Sequence, residues 1–423
     1  MPINIPESNK QRIVIVGAGF GGLTLAKKLS KSDFQVVLID KNNFHQFQPL
    51  YYQVAMSGLE PSSISFPLRK AFQKKPNVTI RVTEVTEIDR SAKCLITPLG
   101  HVNYDILVLA YGTVSNFFGN DNFRNNTYPL KSVSQALYVR NEILSDLEDA
   151  LITRDYDDRQ SKLDIVVVGG GPTGVEMAGA LAEMKNYILP KDYPELDASE
   201  MDIYLIQGGQ RLLPGMSEYA SSKAKAELEK IGVEVALETR VEDVDETHVY
   251  LKGGRTIQTK KVIWAAGVTC PVIGGIPDES KGPSNRLIVN QNLEVAEMSD
   301  VYAIGDISYL QAEGYDRGYP QVAQVAIQQA NFLAKHIKGK SKNGFEYKDL
   351  GSMATIGRNK AVVELPKFKF SGFFAWVVWL MVHIRALIGA RNRVVVILNW
   401  FWSYITYDQS LRLIIKPYLP RKK

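Results

Sequence analysis

The sequence predicts an α/β protein with two doubly wound dinucleotide-binding domains and an amphipathic helical C-terminal region. Three observations carry this. Gly17-Ala18-Gly19-Phe20-Gly21-Gly22 follows the apolar run Ile13–Val16, and Gly169-Gly170-Gly171-Pro172-Thr173-Gly174 follows Ile165–Val168. Each reads as strand, tight glycine turn and helix, the context in which G-x-G-x-x-G has physical meaning. The third is a change of character beyond about residue 350, where aromatic apolar runs alternate with Arg and Lys.

The first unit runs over residues 12–40. A helix from about Gly21 to Ser30 precedes a strand, Gln35–Ile39, that ends at Asp40, 18 residues after Gly22. That is close to the spacing at which an acid meets a ribose hydroxyl, and Gly17, Gly19, Phe20 and Gly22 would admit a pyrophosphate to the helix N-terminus. Far downstream, Val301-Tyr302-Ala303-Ile304-Gly305-Asp306 is a short strand ending in Gly-Asp. It resembles the second FAD contact of flavoproteins that hold two dinucleotides, and this likeness assigns FAD to the first fingerprint. The following helix is expected to begin near Pro320 and continue to about Ile337.

The second fingerprint is then left for NAD(P)H, through Gly169, Gly171, Pro172, Thr173 and Gly174. Trp264-Ala265-Ala266-Gly267 resembles the closing strand of such a domain, and Leu109-Ala110-Tyr111-Gly112-Thr113 its counterpart in the FAD half. Glu176 is expected in the first turn of the second helix. It reads either as a carboxylate favoured by the helix dipole or as a group beside nicotinamide and flavin. The strand Asp202–Ile206 ends in Gln207, 33 residues after Gly174, where an acid would normally hold the ribose. A neutral amide does not repel a 2′-phosphate, so NADH and NADPH both remain open as donors, with NADH first and Arg211 a candidate phosphate partner.

Gln324 and Gln328 are four residues apart on one helix face. They read as ordinary helix surface or as amides for a carbonyl-bearing ring over a flavin. In the tail, Phe373–Val382 and Val394–Tyr407 are apolar runs separated by His383, Arg385, Arg391 and Arg393, and four of the five tryptophans fall here: Trp376, Trp379, Trp400 and Trp402. From Leu365 to Lys423 there are ten Lys or Arg and one acid, Asp408, although the whole chain carries only +5. Runs this short do not reach the roughly 20 residues needed to span a bilayer. Trp, Phe and Leu beside Arg and Lys instead suit the interface of an anionic lipid membrane; a packed subdomain or dimer interface is the alternative. Cys94 and Cys270 form no CxxC, so neither a metal site nor a disulfide framework is expected. No signal-peptide pattern precedes the first strand.

Taken together these residues resemble the type II NADH dehydrogenases, single-subunit NADH:quinone oxidoreductases. The likeness covers Phe47-Gln48-Pro49-Leu50-Tyr51-Tyr52-Gln53-Val54-Ala55, the GGGPTGVE segment at 169–176, AIGD at 303–306, Ala323-Gln324-Val325-Ala326-Ile327-Gln328 and the Trp-rich tail. It implies non-covalent FAD held by Gly17, Gly19, Phe20, Gly22, Asp40, Lys41, Gln48, Gly112, Thr113, Gly305, Asp306, Ala323 and Gln324. It implies NAD(P)H held by the second fingerprint with Glu176, Gln207, Ala266 and Gly267. A membrane quinone would meet Tyr51, Gln53, Gln324 and Gln328, with Glu176, Gln324 and Gln328 as the catalytic set and no proton pumping. The resemblance further implies a homodimer, peripheral on the cytoplasmic face of a bacterial-type inner membrane, with no nucleic-acid partner. Expected boundaries are 10–120 and 281–350 for the two halves of the FAD domain, 121–280 for the inserted NAD(P)H domain and 351–423 for the anchor. A sulfide:quinone oxidoreductase would need redox cysteines near the flavin, which Cys94 and Cys270 do not supply. A soluble NAD(P)H diaphorase would leave the tail unexplained, and a membrane-associated nucleotide sensor would turn over slowly.

Overall fold

The computed structural model describes residues 1–341, 343–406 and 411–416. Tyr407, Asp408, Arg421, Lys422 and Lys423, part of the expected aromatic and basic tail, lie outside the described residues. Six helices matter for function: α1 Phe20–Leu29, α2 Tyr51–Ala55, α3 Pro172–Glu183, α4 Ala323–Ile337, α5 Phe373–Ala386 and α6 Ala390–Thr406. The chain forms two compact units. Unit 1 comprises residues 1–46, 65–114 and 268–349; unit 2 comprises residues 47–64, 115–267 and 350–423.

Unit 1 is built on a five-stranded parallel sheet in the order Val301–Ala303, Ile106–Leu109, Arg12–Val16, Gln35–Asp40, Val78–Val82. Ile13, Val14, Ile15 and Val36–Ile39 are fully buried, as expected of parallel strands covered on both faces. α1 and α4 pack against each other on this sheet. α4 starts at Ala323, not near Pro320, because Val322 is extended (φ −129°, ψ 152°) and the Gln321 amide donates to Asp306 O at 2.9 Å. That bond holds residues 320–322 against the Gly305 turn instead of letting them wind into the helix.

Unit 2 repeats the plan, with a parallel sheet in the order Tyr128–Pro129, Lys261–Trp264, Ile165–Val168, Ile203–Ile206, Val233–Ala236. α3 follows the glycine turn. An antiparallel sheet of Ser352–Thr355, Ala361–Glu364 and Lys369–Gly372 packs against α3 and leads into α5 and α6. Among the described residues no helix is long and apolar enough to cross a membrane.

The two terminal helices differ from expectation in what their aromatics do. Trp379 is 1% exposed and stacks on His383 at 3.9 Å between ring centroids, with Trp400 at 5.7 Å. These rings therefore serve the core of unit 2. Burial pushes His383 down to about 4, so it is neutral at pH 7 and does not add to the basic tail. The outward face remains apolar: Phe374 and Met381 on α5, and Leu398, Phe401, Trp402 and Ile405 on α6, are each more than half exposed.

Candidate active site

In unit 1 the carboxyl ends of neighbouring strands converge, the position at which open α/β sheets bind ligands. Register pairs Val16 with both Ile39 and Leu109, and Leu109 with Ala303. Gly17, Asp40, Gly112, Thr113, Gly305 and Asp306 are therefore brought to one edge. Gly17 has φ +102°, and a Cβ on Gly22 would collide with Gly17 O. A Cβ at Gly19 would instead meet open space, and no side chain caps the N-terminus of α1. Helix starts leave their first N–H groups without intrahelical partners, which here face an approachable glycine turn. This arrangement fits a pyrophosphate.

Asp40, expected at a ribose, has a role within the turn itself. Its carboxylate accepts from Ala18 N and Asn42 N, both at 2.7 Å, and so clasps the glycine turn. Burial raises its pKa against those two bonds. Neutral His45, pushed down to about 4 by burial, donates from Nδ1 to Ala18 O at 2.8 Å. Across the edge, Thr113 Oγ1 donates to Asp306 at 3.3 Å. Lys41 is exposed, and so is Gln48, which belongs to unit 2.

The glutamines of α4 divide differently from the expected pair. Gln328 donates to Lys348 O at 2.8 Å and accepts from Lys348 N at 3.0 Å, so its amide braces a loop. Gln329 was missed in the sequence. It is fully buried, accepts from Gly305 N at 2.7 Å and donates to Ser308 Oγ at 2.9 Å, shaping the Gly-Asp turn. Ala323 and Gln324 lie in the first turn of α4, which has no side-chain cap.

Unit 2 presents a second crevice of the same kind. Gly169 has φ +111°; a Cβ there would strike Ala265 O, and one on Gly174 would strike Gly169 O. Gly171 opens α3 without a side-chain cap, while Pro172 and Thr173 are exposed. Ile165–Val168 pairs with Lys261–Trp264, which places Ala266 and Gly267 beside the glycine turn. Gln207 accepts from Gly170 N at 2.9 Å and donates to Arg211 O at 3.3 Å. Its amide is thus part of the turn, and the exposed Arg211 guanidinium bonds Pro214 O at 3.2 Å.

Glu176 is not in the first turn of α3 but is its fifth residue, so the helix-dipole reading fails. It is 8% exposed and accepts from Thr355 N at 3.4 Å, and burial pushes its carboxyl up to about 8. It is therefore a neutral acid at pH 7. Nearby, the Tyr52 hydroxyl lies 3.2 Å from Thr355 Oγ1 and accepts from Gln53 at 2.9 Å, while Gln53 accepts from the Trp400 indole at 2.7 Å. Tyr51 is 3% exposed on the same short helix. Thr355, 179 residues from Glu176, left no trace in sequence. Both cysteines are buried and neither is in a disulfide.

Known proteins match this layout throughout. Residues 11–330 match the pyridine nucleotide-disulphide oxidoreductase family, and residues 350–406 match the NDH2 C-terminal domain. The type II NADH:quinone oxidoreductase Ndh of Mycobacterium tuberculosis is 35% identical over 416 residues, covering 94% of this chain and 89% of the relative. That of Staphylococcus aureus is 29% identical over 372 residues, covering 84% of this chain and 89% of the relative. The structure of NDH2 from Plasmodium falciparum in complex with NADH superposes with a TM-score of 0.86 at 22% identity. It covers 96% of this chain and all of the other, a likeness of fold. With two glycine crevices, a buried acid and this extent of similarity, the chain belongs to the type II NADH:quinone oxidoreductases.

Proposed function

We infer that this chain is a flavoenzyme that oxidises NADH and reduces a quinone, with FAD held by unit 1 and the nicotinamide nucleotide by unit 2. The observation that carries the reading is the pair of crevices, each with a left-handed glycine and an uncapped helix start. FAD, held by the glycine turn and Asp40 of unit 1, would supply hydride acceptance and electron return, chemistry that no side chain here supplies. The protein positions the reactants and handles protons. Glu176 holds a proton at neutral pH, and we assign it the proton that completes the quinol. Of the α4 glutamines, we assign Gln324, in the first turn of the helix, to the quinone; the Gln328 amide braces Lys348.

Anaerobic stopped-flow tests this directly. NADH should bleach the flavin, and a short-chain quinone should restore its colour; bleaching without recovery would point to another acceptor. The same experiment addresses the donor. Gln207→Glu keeps an acceptor for Gly170 N but adds a charge that repels a 2′-phosphate. It should lower the rate with NADPH by about tenfold or more while sparing NADH, a difference of roughly 1.4 kcal/mol. Equal loss with both donors would place Gln207 away from the ribose.

We propose that the exposed apolar face of α5 and α6 lies in the interface of an anionic membrane, with Arg385, Arg391 and Arg393 at headgroup level. On this reading, and as the family resemblance implies, the enzyme is peripheral on the cytoplasmic face of a bacterial-type inner membrane and works as a homodimer. Phe401→Asp with Trp402→Asp should abolish co-sedimentation with phosphatidylglycerol vesicles and leave flavin bleaching by NADH unchanged. Undiminished vesicle binding would instead assign the face to a second copy of the chain.

A further inference from the structure

α3 carries a second carboxyl besides Glu176. Glu183 stands seven residues on, nearly two helical turns, so both acids lie on one face about 10 Å apart. Both line a single cavity of about 110 Å³ in unit 2, with Tyr52, Gln53, Thr355 and Arg358 among the other walls. A cavity this size holds several waters, and hydroxyl, amide and carboxyl groups supply the partners such waters need.

The two ends of the cavity differ. At the inner end Glu176 is buried beside Thr355 N, next to the Thr355–Tyr52–Gln53–Trp400 chain of hydrogen bonds. At the outer end the Glu183 residue is only partly buried, yet its Oε1 is closed off and has no hydrogen-bond partner. The Tyr52 hydroxyl feels the charge of both carboxyls, that of Glu176 more strongly. Gly179, between the acids, lets α3 approach the Ile356–Gly357 backbone closely, and this brings Glu183 against Arg358.

We propose that Glu183 and this cavity form the proton inlet for Glu176, with Glu183 taking protons from solvent and passing them through cavity water. The proposal rests on the reading of the chain as a quinone reductase. Reducing a quinone to a quinol takes two electrons and two protons. NADH supplies both electrons and one proton as hydride, so one proton must come from water. That proton leaves the Glu176 carboxyl for a quinone oxygen, Glu176 is reprotonated from Glu183, and Glu183 is reprotonated from solvent.

The groups around Glu183 come from several elements. Arg358, from the loop after Ser352–Thr355, is the cation that faces it. Tyr52 from α2 and Tyr404 from α6 are phenols, and α5 contributes Trp376, Trp379 and Leu380. Burial pushes Glu183 up to about 7, with Arg358 opposing, whereas Glu176 reaches about 8. Both carboxyls can therefore hold and release a proton near neutral pH.

The test uses the FAD-loaded enzyme with Glu183→Gln and Glu183→Asp, and two readouts. In stopped-flow, Glu183→Gln should leave bleaching by NADH unchanged and slow recovery by quinone about 100-fold, with Glu183→Asp restoring part of the rate. By infrared spectroscopy without turnover, Glu183→Gln should slow deuterium exchange of the protonated Glu176 carboxyl, whose band is identified by its loss in Glu176→Gln. Unchanged exchange together with an unchanged pH profile of quinone recovery would overturn the inlet. A wild type that never transfers electrons to quinone would overturn the functional reading instead, while slowed exchange would still support the inlet.

Discussion

Gly174→Val should weaken NADH binding strongly while the protein remains yellow, and Gly22→Val should give a colourless protein. Neither glycine has room for a Cβ: at Gly174 it would fall on Gly169 O, and at Gly22 on Gly17 O. Each contact is with backbone, in a turn already held in a left-handed conformation at Gly169 or Gly17, so no flexible side chain can give way. Forcing extra atoms into such packing costs about 1–3 kcal/mol. Much of that cost falls on the turn that must cradle the pyrophosphate, so the KM for NADH should rise about 100-fold in Gly174→Val. Flavin absorbance of the purified protein and stopped-flow bleaching read the two sites separately. Loss of flavin from Gly174→Val, with Gly22→Val still yellow, would mean the nucleotides are assigned to the wrong units.

Glu176→Gln should make the protein more stable than wild type in alkaline solution and slow quinone reduction about 100-fold. The stability effect follows from linkage. Burial raises the folded-state pKa of Glu176 from 4.5 to about 8. Between these values the folded chain keeps a proton that the unfolded chain has released, so the free energy of unfolding falls as pH rises through this window. Over the whole range the loss from this one group approaches about 5 kcal/mol as an upper bound. Glutamine has the same shape and does not ionise, so the variant lacks this penalty. Urea unfolding at pH 5 and pH 9 should show near-equal stabilities at the lower pH and a clear advantage for the variant at the higher. Parallel loss of stability in both proteins would mean that Glu176 ionises freely in the folded state.

Sequence reasoning succeeded where the fold depends on residues close together in the chain. Each glycine fingerprint is a local object, because a four-residue β-branched run, a turn that excludes Cβ atoms and a helix start need only adjacent residues to define them. The end of α4 and the strand ending at Asp40 were legible for the same reason. The misreadings concern side chains whose roles depend on distant partners. Gln328 and Gln329 are adjacent and chemically identical, yet Lys348 engages one and the Gly305 turn buries the other. The aromatic tail looked uniform, but contact with His383 and Trp400 buries Trp379 while Trp402 stays exposed.

By itself the sequence determined the two dinucleotide folds, the family and the order of the elements, since periodicity and turn chemistry are set by neighbours. Tertiary structure alone decided the protonation of Glu176. A carboxyl on a helix is an ordinary acid until something removes water from it, and here burial outweighs the hydrogen bonds from Thr355 and Trp379, 179 and 203 residues away, that oppose the shift. The same packing enclosed Glu183 in a shared cavity. Desolvation belongs to an assembled surface and not to a stretch of chain, which is why the proton chemistry became visible only in the fold.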